Sequence, residues 1–193
     1  MKHLSSSSAV LLAMAHALGC NGSAAPQADA PPPVATSASA PRVVKPNVTW
    51  PARARVDERA RGKLGDGVGR IDRATVPVLA PASDLALERP TVIVEPEFYA
   101  VTVRVRGATI NIQGTRTAHV VDDVTPHPGN RPMRGAKGFV TMNEGIRSAA
   151  FVENGVAYSV DVECSAADDE RCLGDAFVVD LVERLAFVGG AGR

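Results

Sequence analysis

A chain of 193 residues is long enough for one ordinary domain with a tail and too short for two. Its 45% hydrophobic content allows a buried core, while Lys+Arg and Asp+Glu are equal at 21 each, without the basic surplus a nucleic-acid binder carries. Aromatics are only 4%, which argues against base-stacking platforms, so nucleic acid drops out as a partner.

In chain order, the N-terminus reads as a targeting segment. Lys2 supplies a positive n-region, and "AVLLAMAHAL" is a short apolar run. It falls well below the roughly 20 residues that span a bilayer, and it suits the hydrophobic part of a signal peptide.

The run closes in "ALGC", Ala17 to Cys20. A small residue before a cysteine, ending an apolar run, resembles the lipobox of bacterial lipoproteins, in which signal peptidase II cuts before a cysteine that then carries lipid. Ala17 stands where that family usually has Leu, and His16 interrupts the run. The resemblance implies a signal peptide over residues 1–19, lipid on Cys20, and a protein anchored to a membrane rather than spanning it. Acyl chains hold by burying CH₂ groups at about 0.8 kcal/mol each. Two alternatives stand beside it. "AHA" at 15–17 suits an ordinary signal peptidase, which leaves Cys20 free in a secreted protein, and a buried helix ending in Cys lacks a supporting amphipathic stripe.

Residues 20–50 are dominated by Pro, Ala and Ser with no apolar period, the composition of a disordered tether. Such a linker reaches on the order of 30 Å. The glycosylation patterns at Asn21 and Asn47 read as chance matches beside a lipobox. Residues 51–73 are Arg-rich with interleaved acids, either a short helix with a basic face or continuing linker.

An exported domain is expected over 74–193. "VPVLAP" at 76–81, closed by prolines, allows an edge strand at most. In "FYAVTVRVRG", Tyr99, Val101, Val103 and Val105 share one face, with Thr102, Arg104 and Arg106 on the other. A turn at Gly107 and "TINIQG", with Ile110 and Ile112 on one face, complete a hairpin. "GFVTMNEG" and "IRSAAFVENGVAYSVDVEC" supply further strands. Asn154-Gly155 suits a two-residue type I′ turn, which sets Phe151 opposite Tyr158 and Ala149 opposite Val160. Ala157, Ser159, Asp161 and Glu163 then face water.

"DAFVVDLVERLAFVGG" repeats Phe177, Val178, Leu181, Val182, Leu185 and Val188 at helical spacing, with Asp175 as N-cap and Gly189 and Gly190 as the stop. Asp180 and Arg184 form an i,i+4 pair. The fold class expected is α+β: an antiparallel sheet of about five to six strands, built from hairpins and packed by one C-terminal helix.

Outside the cytosol, Cys164 and Cys172 are expected to form a disulfide clamping the strand-to-helix turn. A redox pair normally has C-x-x-C spacing, zinc needs further Cys or His ligands, and the acidic loop lacks the ligand alternation of an EF-hand. His119, Asp122, Asp123 and His127 lie close in the chain and suit a divalent metal or an acid/base pair, against the alternative of a polar loop. "GDGVG" at 65–69 lacks the lysine and strand of a phosphate loop. Arg131, Arg134 and Lys137 suit anion binding or an exposed basic loop. No cofactor is implied.

The layout resembles the uncharacterised lipoproteins of bacteria with Ala-, Arg- and Pro-rich proteomes. That likeness implies no activity and carries over only Cys20 as the lipid site. The leading expectation is a non-catalytic, membrane-tethered domain of the cell envelope, in the periplasm or at the surface, binding an envelope protein or polymer. A metal-binding protein or hydrolase using the His/Asp cluster is the alternative. A third is a peptidoglycan or polyanion binder using the arginines.

Overall fold

The alternating stretches fold as long antiparallel strands in the computed structural model, which describes residues 40–192 apart from Asp123 and Pro126. The expected signal peptide, Cys20 and the start of the tether lie outside the described residues, as does Asp123. In chain order the strands are β1 (Arg42–Val44), β2 (Val78–Ala80), β3 (Glu88–Glu95), β4 (Phe98–Val105), β5 (Ala108–Thr115) and β6 (Ala118–Val120). There follow β7 (Arg131–Met133), β8 (Ala136–Asn143), β9 (Ile146–Glu153), β10 (Val156–Cys164) and β11 (Ala186–Gly189). The helices are short: α1 (Glu58–Gly62), α2 (Val68–Ile71), α3 (Glu170–Leu173) and α4 (Ala176–Glu183). The fold is α+β.

The main sheet has seven strands, more than the sequence suggests, in the order β3-β4-β5-β10-β9-β8-β7. Two meanders meet at its centre, where β5 pairs with β10 antiparallel. The pairing of β9 with β10 sets Phe151 opposite Tyr158 and Ala149 opposite Val160, the register read from Asn154-Gly155. Both turn residues have positive φ, 55° and 76°, as type I′ requires. Arg134-Gly135 and Glu144-Gly145 repeat that pattern, so three successive tight turns build the second meander.

The inner face carries the core. Tyr99, Val101, Val103, Ile110, Ile112, Tyr158, Val160 and Val162 are all buried there. Each such side chain contributes about 1.5–3 kcal/mol on leaving water. Across this face lies a small second sheet of β2 and β11. Its side chains Val78, Leu79, Phe187 and Val188 join the same apolar core, and polar bonds add to that attachment. Tyr99 Oη accepts from Leu79 N at 2.9 Å and donates to Leu79 O at 3.2 Å, and Tyr158 Oη donates to Pro77 O at 2.9 Å. Burial pushes both phenols up, so they stay protonated and keep donating. Both tyrosines sit opposite Gly114, one from each neighbouring strand.

"VPVLAP" does hold a short edge strand: among the described residues β2 pairs only with β11, and it is buried throughout. One expectation is corrected here. The C-terminal helix stops at Glu183, six residues short of Gly189, because Ala186–Gly189 is the strand that β2 needs. Leu185 and Val188 fit a helical stripe and a buried strand equally, and tertiary pairing decides such short apolar runs. Asp175 occupies the N-cap position but makes no side-chain cap bond. Its carboxylate instead takes Arg131 at 2.6 Å and Arg147 at 3.1 Å. Arg184 does pair with Asp180, its Nε donating at 2.9 Å.

Residues 51–73 are short helices, and Ala60, Leu64 and Ile71 belong to the same core as the sheet. Asp57 caps α1 by accepting from Arg59 N and Ala60 N. Arg61, only 7% exposed, donates to Val188 O at 2.8 Å and to both oxygens of Asp72 at 2.8 and 2.9 Å. The core therefore begins before residue 74. Part of the expected tether is folded too. β1 pairs with β6, Thr49 N donates to Asn154 O, and Trp50 packs where a side chain on Gly190 would sit.

Cys164 and Cys172 are joined, as expected, with Cα atoms 6.2 Å apart. The bond ties the end of β10 to α3. Noncovalent ties run alongside it: Arg147 donates to Cys172 O and Leu173 O, and Arg171 to Arg106 O. Reduction of the purified protein should cost roughly 2.5 kcal/mol on the loop-entropy model, without unfolding it. Urea curves with and without a phosphine reductant check this, and a collapse of the transition on reduction would contradict it.

Asp169 is the N-cap of α3 and lies beside Arg171 in the same loop. The side-chain hydrogen bond from Arg171, then a backbone bond, lower its carboxyl to about 2. A folded value below the unfolded 3.8 means the stabilisation is present above pH 4 and lost as pH falls through about 2. Asp169→Asn should accordingly flatten the acid limb of a melting-temperature profile between pH 4 and pH 2, and an unchanged limb would rule the loop out.

Candidate functional site

A sheet with one buried face should turn polar side chains outward, and half of the outer face does. Thr102, Asn111, Asp161, Ser148 and Thr141 form one cross-strand row. Nearer the turns of β3-β4 and β9-β10 the outer face changes character. One row runs Ile93, Ala100, Gln113, Ser159, Ala150, Phe139, and the next Glu95, Phe98, Thr115, Ala157, Val152. Ile93 is 49% exposed, Phe98 37%, Phe139 37% and Val152 61%, unusual for large apolar groups on a solvated sheet face.

Small residues between the phenylalanines leave a trough of about 450 Å³ over Gln113, Thr115, Ala157 and Ser159, with Phe98 as a wall. A second depression of about 150 Å³ shares Ala150 and Ala157 and reaches Phe139, Val152 and Lys137. The trough thus combines apolar walls with amide and hydroxyl groups on its floor, the mix of a recognition surface. Its rim is charged. At one end Lys45 bonds Glu97 at 2.7 Å and Arg116 bonds it at 2.5 Å, and the Lys45 bond chiefly holds the Glu97 carboxyl below its usual range.

Both edges of the sheet are guarded. On β3, Pro90 lacks a donor, Arg89 sits at φ 48° beside a register shift, and Arg70 Nη1 donates to Val92 O at 2.8 Å. On the other side β7 covers only the start of β8, and beyond it the Asn130 amide acts as a strand surrogate, accepting from Val140 N at 3.1 Å and donating to Val140 O at 3.4 Å. A partner strand cannot add at these positions.

The sequence-predicted residues fall elsewhere. His119 is exposed on β6, Asp122 is exposed in the turn beyond, and the exposed His127 ring nitrogen bonds Pro128 O at 2.8 Å. Among the described residues no group of three or more His, Cys, Asp or Glu is placed to hold a metal. The His127 ring does lie 6.3 Å from the Phe139 ring, at the border of the outer-face trough.

Nor do the three basic residues converge on an anion site. Arg131 pairs with Asp175, while Arg134 bonds Glu153 at 2.5 Å and donates to Val182 O and Leu185 O. The basic stretch is the β7-β8 hairpin, and Lys137 alone reaches the outer trough. Sequence reading missed Phe98, Phe139 and Val152. The available signal was an aromatic or branched residue out of phase with its buried neighbours, as Phe98 is beside Tyr99. Comparison of the chain with protein-family models, with characterised proteins and with solved structures finds no significant match.

Proposed function

We propose that this chain is a lipid-anchored lipoprotein of the bacterial cell envelope whose folded domain is a non-catalytic binding module, engaging an envelope partner through its outer face. The reading of the anchor rests on Lys2, the apolar run and "ALGC" ending at Cys20. No helix among the described residues is long and apolar enough to cross a membrane. The observation that carries the binding reading is the outer-face trough: Phe98, Phe139, Ile93 and Val152 stay exposed around a floor of Ala150 and Ala157. The largest apolar patch on a folded domain, typically a few hundred Å², is often its functional surface. A photo-crosslinking residue at position 157 of the full chain should give a covalent adduct in intact cells. The same residue at position 141, in the polar row, should give none. An adduct at 141 and none at 157 would contradict the reading.

A further inference from the structure

The chain ahead of α1 is held by a series of ties that strengthen towards the core. Residues 40–43 and 45–47 are exposed, while Val44, Val48 and Trp50 are half-buried. β1 has three residues, and its partner β6 lies outside the seven-stranded sheet. A two-stranded ladder of that kind is marginal in water. Next, Lys45 Nζ donates to Glu97 at 2.7 Å with the lysine side chain 50% exposed, so solvent screening leaves the pair weak. Asn47 O then crosses the β9-β10 turn so closely that a Cβ on Gly155 would collide with it, and Thr49 N donates to Asn154 O at 2.9 Å.

The last tie is of another kind. Trp50, the single tryptophan of the chain, lays its ring against Gly190 and Gly192, where any side chain would collide with it. The seat is fixed backbone: Gly190 directly follows β11, and Ala191 N donates to Ala74 O at 2.7 Å. Just beyond the ring, Asp57 N donates to Phe187 O at 2.8 Å and Ala60 enters the core. Local opening follows from few buried apolar contacts and exposed hydrogen bonds, and both mark the chain before Trp50 but not after it.

We infer that residues 40–49 form a releasable strap, which peels from β6 and the β9-β10 turn in chain order and stops at Trp50. Its use rests on the proposed anchor at Cys20. A pull from the membrane side reaches Arg42 first and opens the ties one at a time. Full release adds ten residues ahead of the fold and a reach of at most about 35 Å, with the seven-stranded sheet left intact.

Native-state hydrogen exchange on the full chain with Cys20→Ser reads the strap directly. The protection of the β1 and Thr49 amides should be at least about a hundredfold below that of β10. Their exchange should also be insensitive to urea below the unfolding transition, because a local opening exposes little surface. Gly155→Ala and Gly145→Ala each place a side chain at positive φ, 76° and 83°, but only the first meets the strap. Gly155→Ala should therefore speed exchange at β1 and Thr49 at least about tenfold more than Gly145→Ala does, with Trp50 emission unchanged. Lys45→Ala should speed it about two- to fivefold, and its exposed position keeps the test decisive if Gly155→Ala disturbs folding.

Exchange of the β1 and Thr49 amides at the β10 rate and with the β10 urea slope would overturn the inference. So would a shift of Trp50 emission that accompanies strap opening, since the ring would then be no stop. Fast strap exchange in a chain whose mature form leaves Cys20 unmodified keeps the strap and rejects the anchor. Uniform exchange in a chain that carries lipid rejects the strap and keeps the anchor.

Discussion

Arg61→Ala should destabilise the domain by about 1.5–3 kcal/mol, a large share of the roughly 5–15 kcal/mol that holds a domain of this size folded. Arg61 is buried, and its guanidinium joins three segments distant in the chain. It pairs with both oxygens of Asp72 in the turn after α2 and donates to Val188 O in β11. A side chain on Gly189 would collide with its Nη1 at 2.7 Å, so the strand is glycine at the point where the arginine passes. Removing Arg61 takes the donor from the buried Val188 carbonyl and opens a gap between α1 and β11. Arg61→Lys should recover only part of the loss, because a point-charge ammonium cannot match the planar fork. Urea unfolding at neutral pH measures the change. A loss below about 1 kcal/mol would show that the helical segment is held by its apolar contacts alone.

Gly114→Val should be as damaging, for a steric reason. A Cβ at this position would stand under 3.0 Å from ring carbons of both Tyr99 and Tyr158. Neither ring is free to retreat, since the Tyr99 hydroxyl is tied to Leu79 in β2 and the Tyr158 hydroxyl to Pro77 just before it, and Tyr158 also stacks on Phe151 with centroids 5.2 Å apart. Overpacking of this kind costs about 1–3 kcal/mol per small insertion, and two methyls against two pinned rings should reach the top of that range. Tyr99→Phe isolates the polar part. It leaves buried Leu79 N without its acceptor at a cost of about 1–3 kcal/mol. If Gly114→Val melts within a degree or two of the wild type, the tyrosines have room that the geometry denies them.

Legibility from sequence followed the physical range of each interaction. Local patterns were sufficient for β4, β5, β9 and β10, because alternation and the Asn154-Gly155 turn are nearest-neighbour signals. The disulfide followed from the expectation of export and the position of Cys164 at a strand end. What failed depended on long-range partners. "AFVG" became a strand because "VLA", over a hundred residues earlier, supplies its ladder. The Arg-rich stretch joined the core because Arg61 finds Asp72 and Val188, which no charge pattern announces. Arg134 looked like an anion ligand and is consumed by Glu153 and the carbonyls after α4. The trough was invisible for another reason. It arises from residues of five strands aligned side by side, and register across a sheet is a tertiary property.

The most direct measurement is the intact mass of the mature protein recovered from the cells that make it. A lipid-anchored envelope domain requires a chain that begins at Cys20, carries acyl groups there, and is lighter by two hydrogens for the Cys164–Cys172 bond. A chain that begins after Ala17 with Cys20 unmodified, or one that retains Met1, would contradict the anchor and with it the envelope reading.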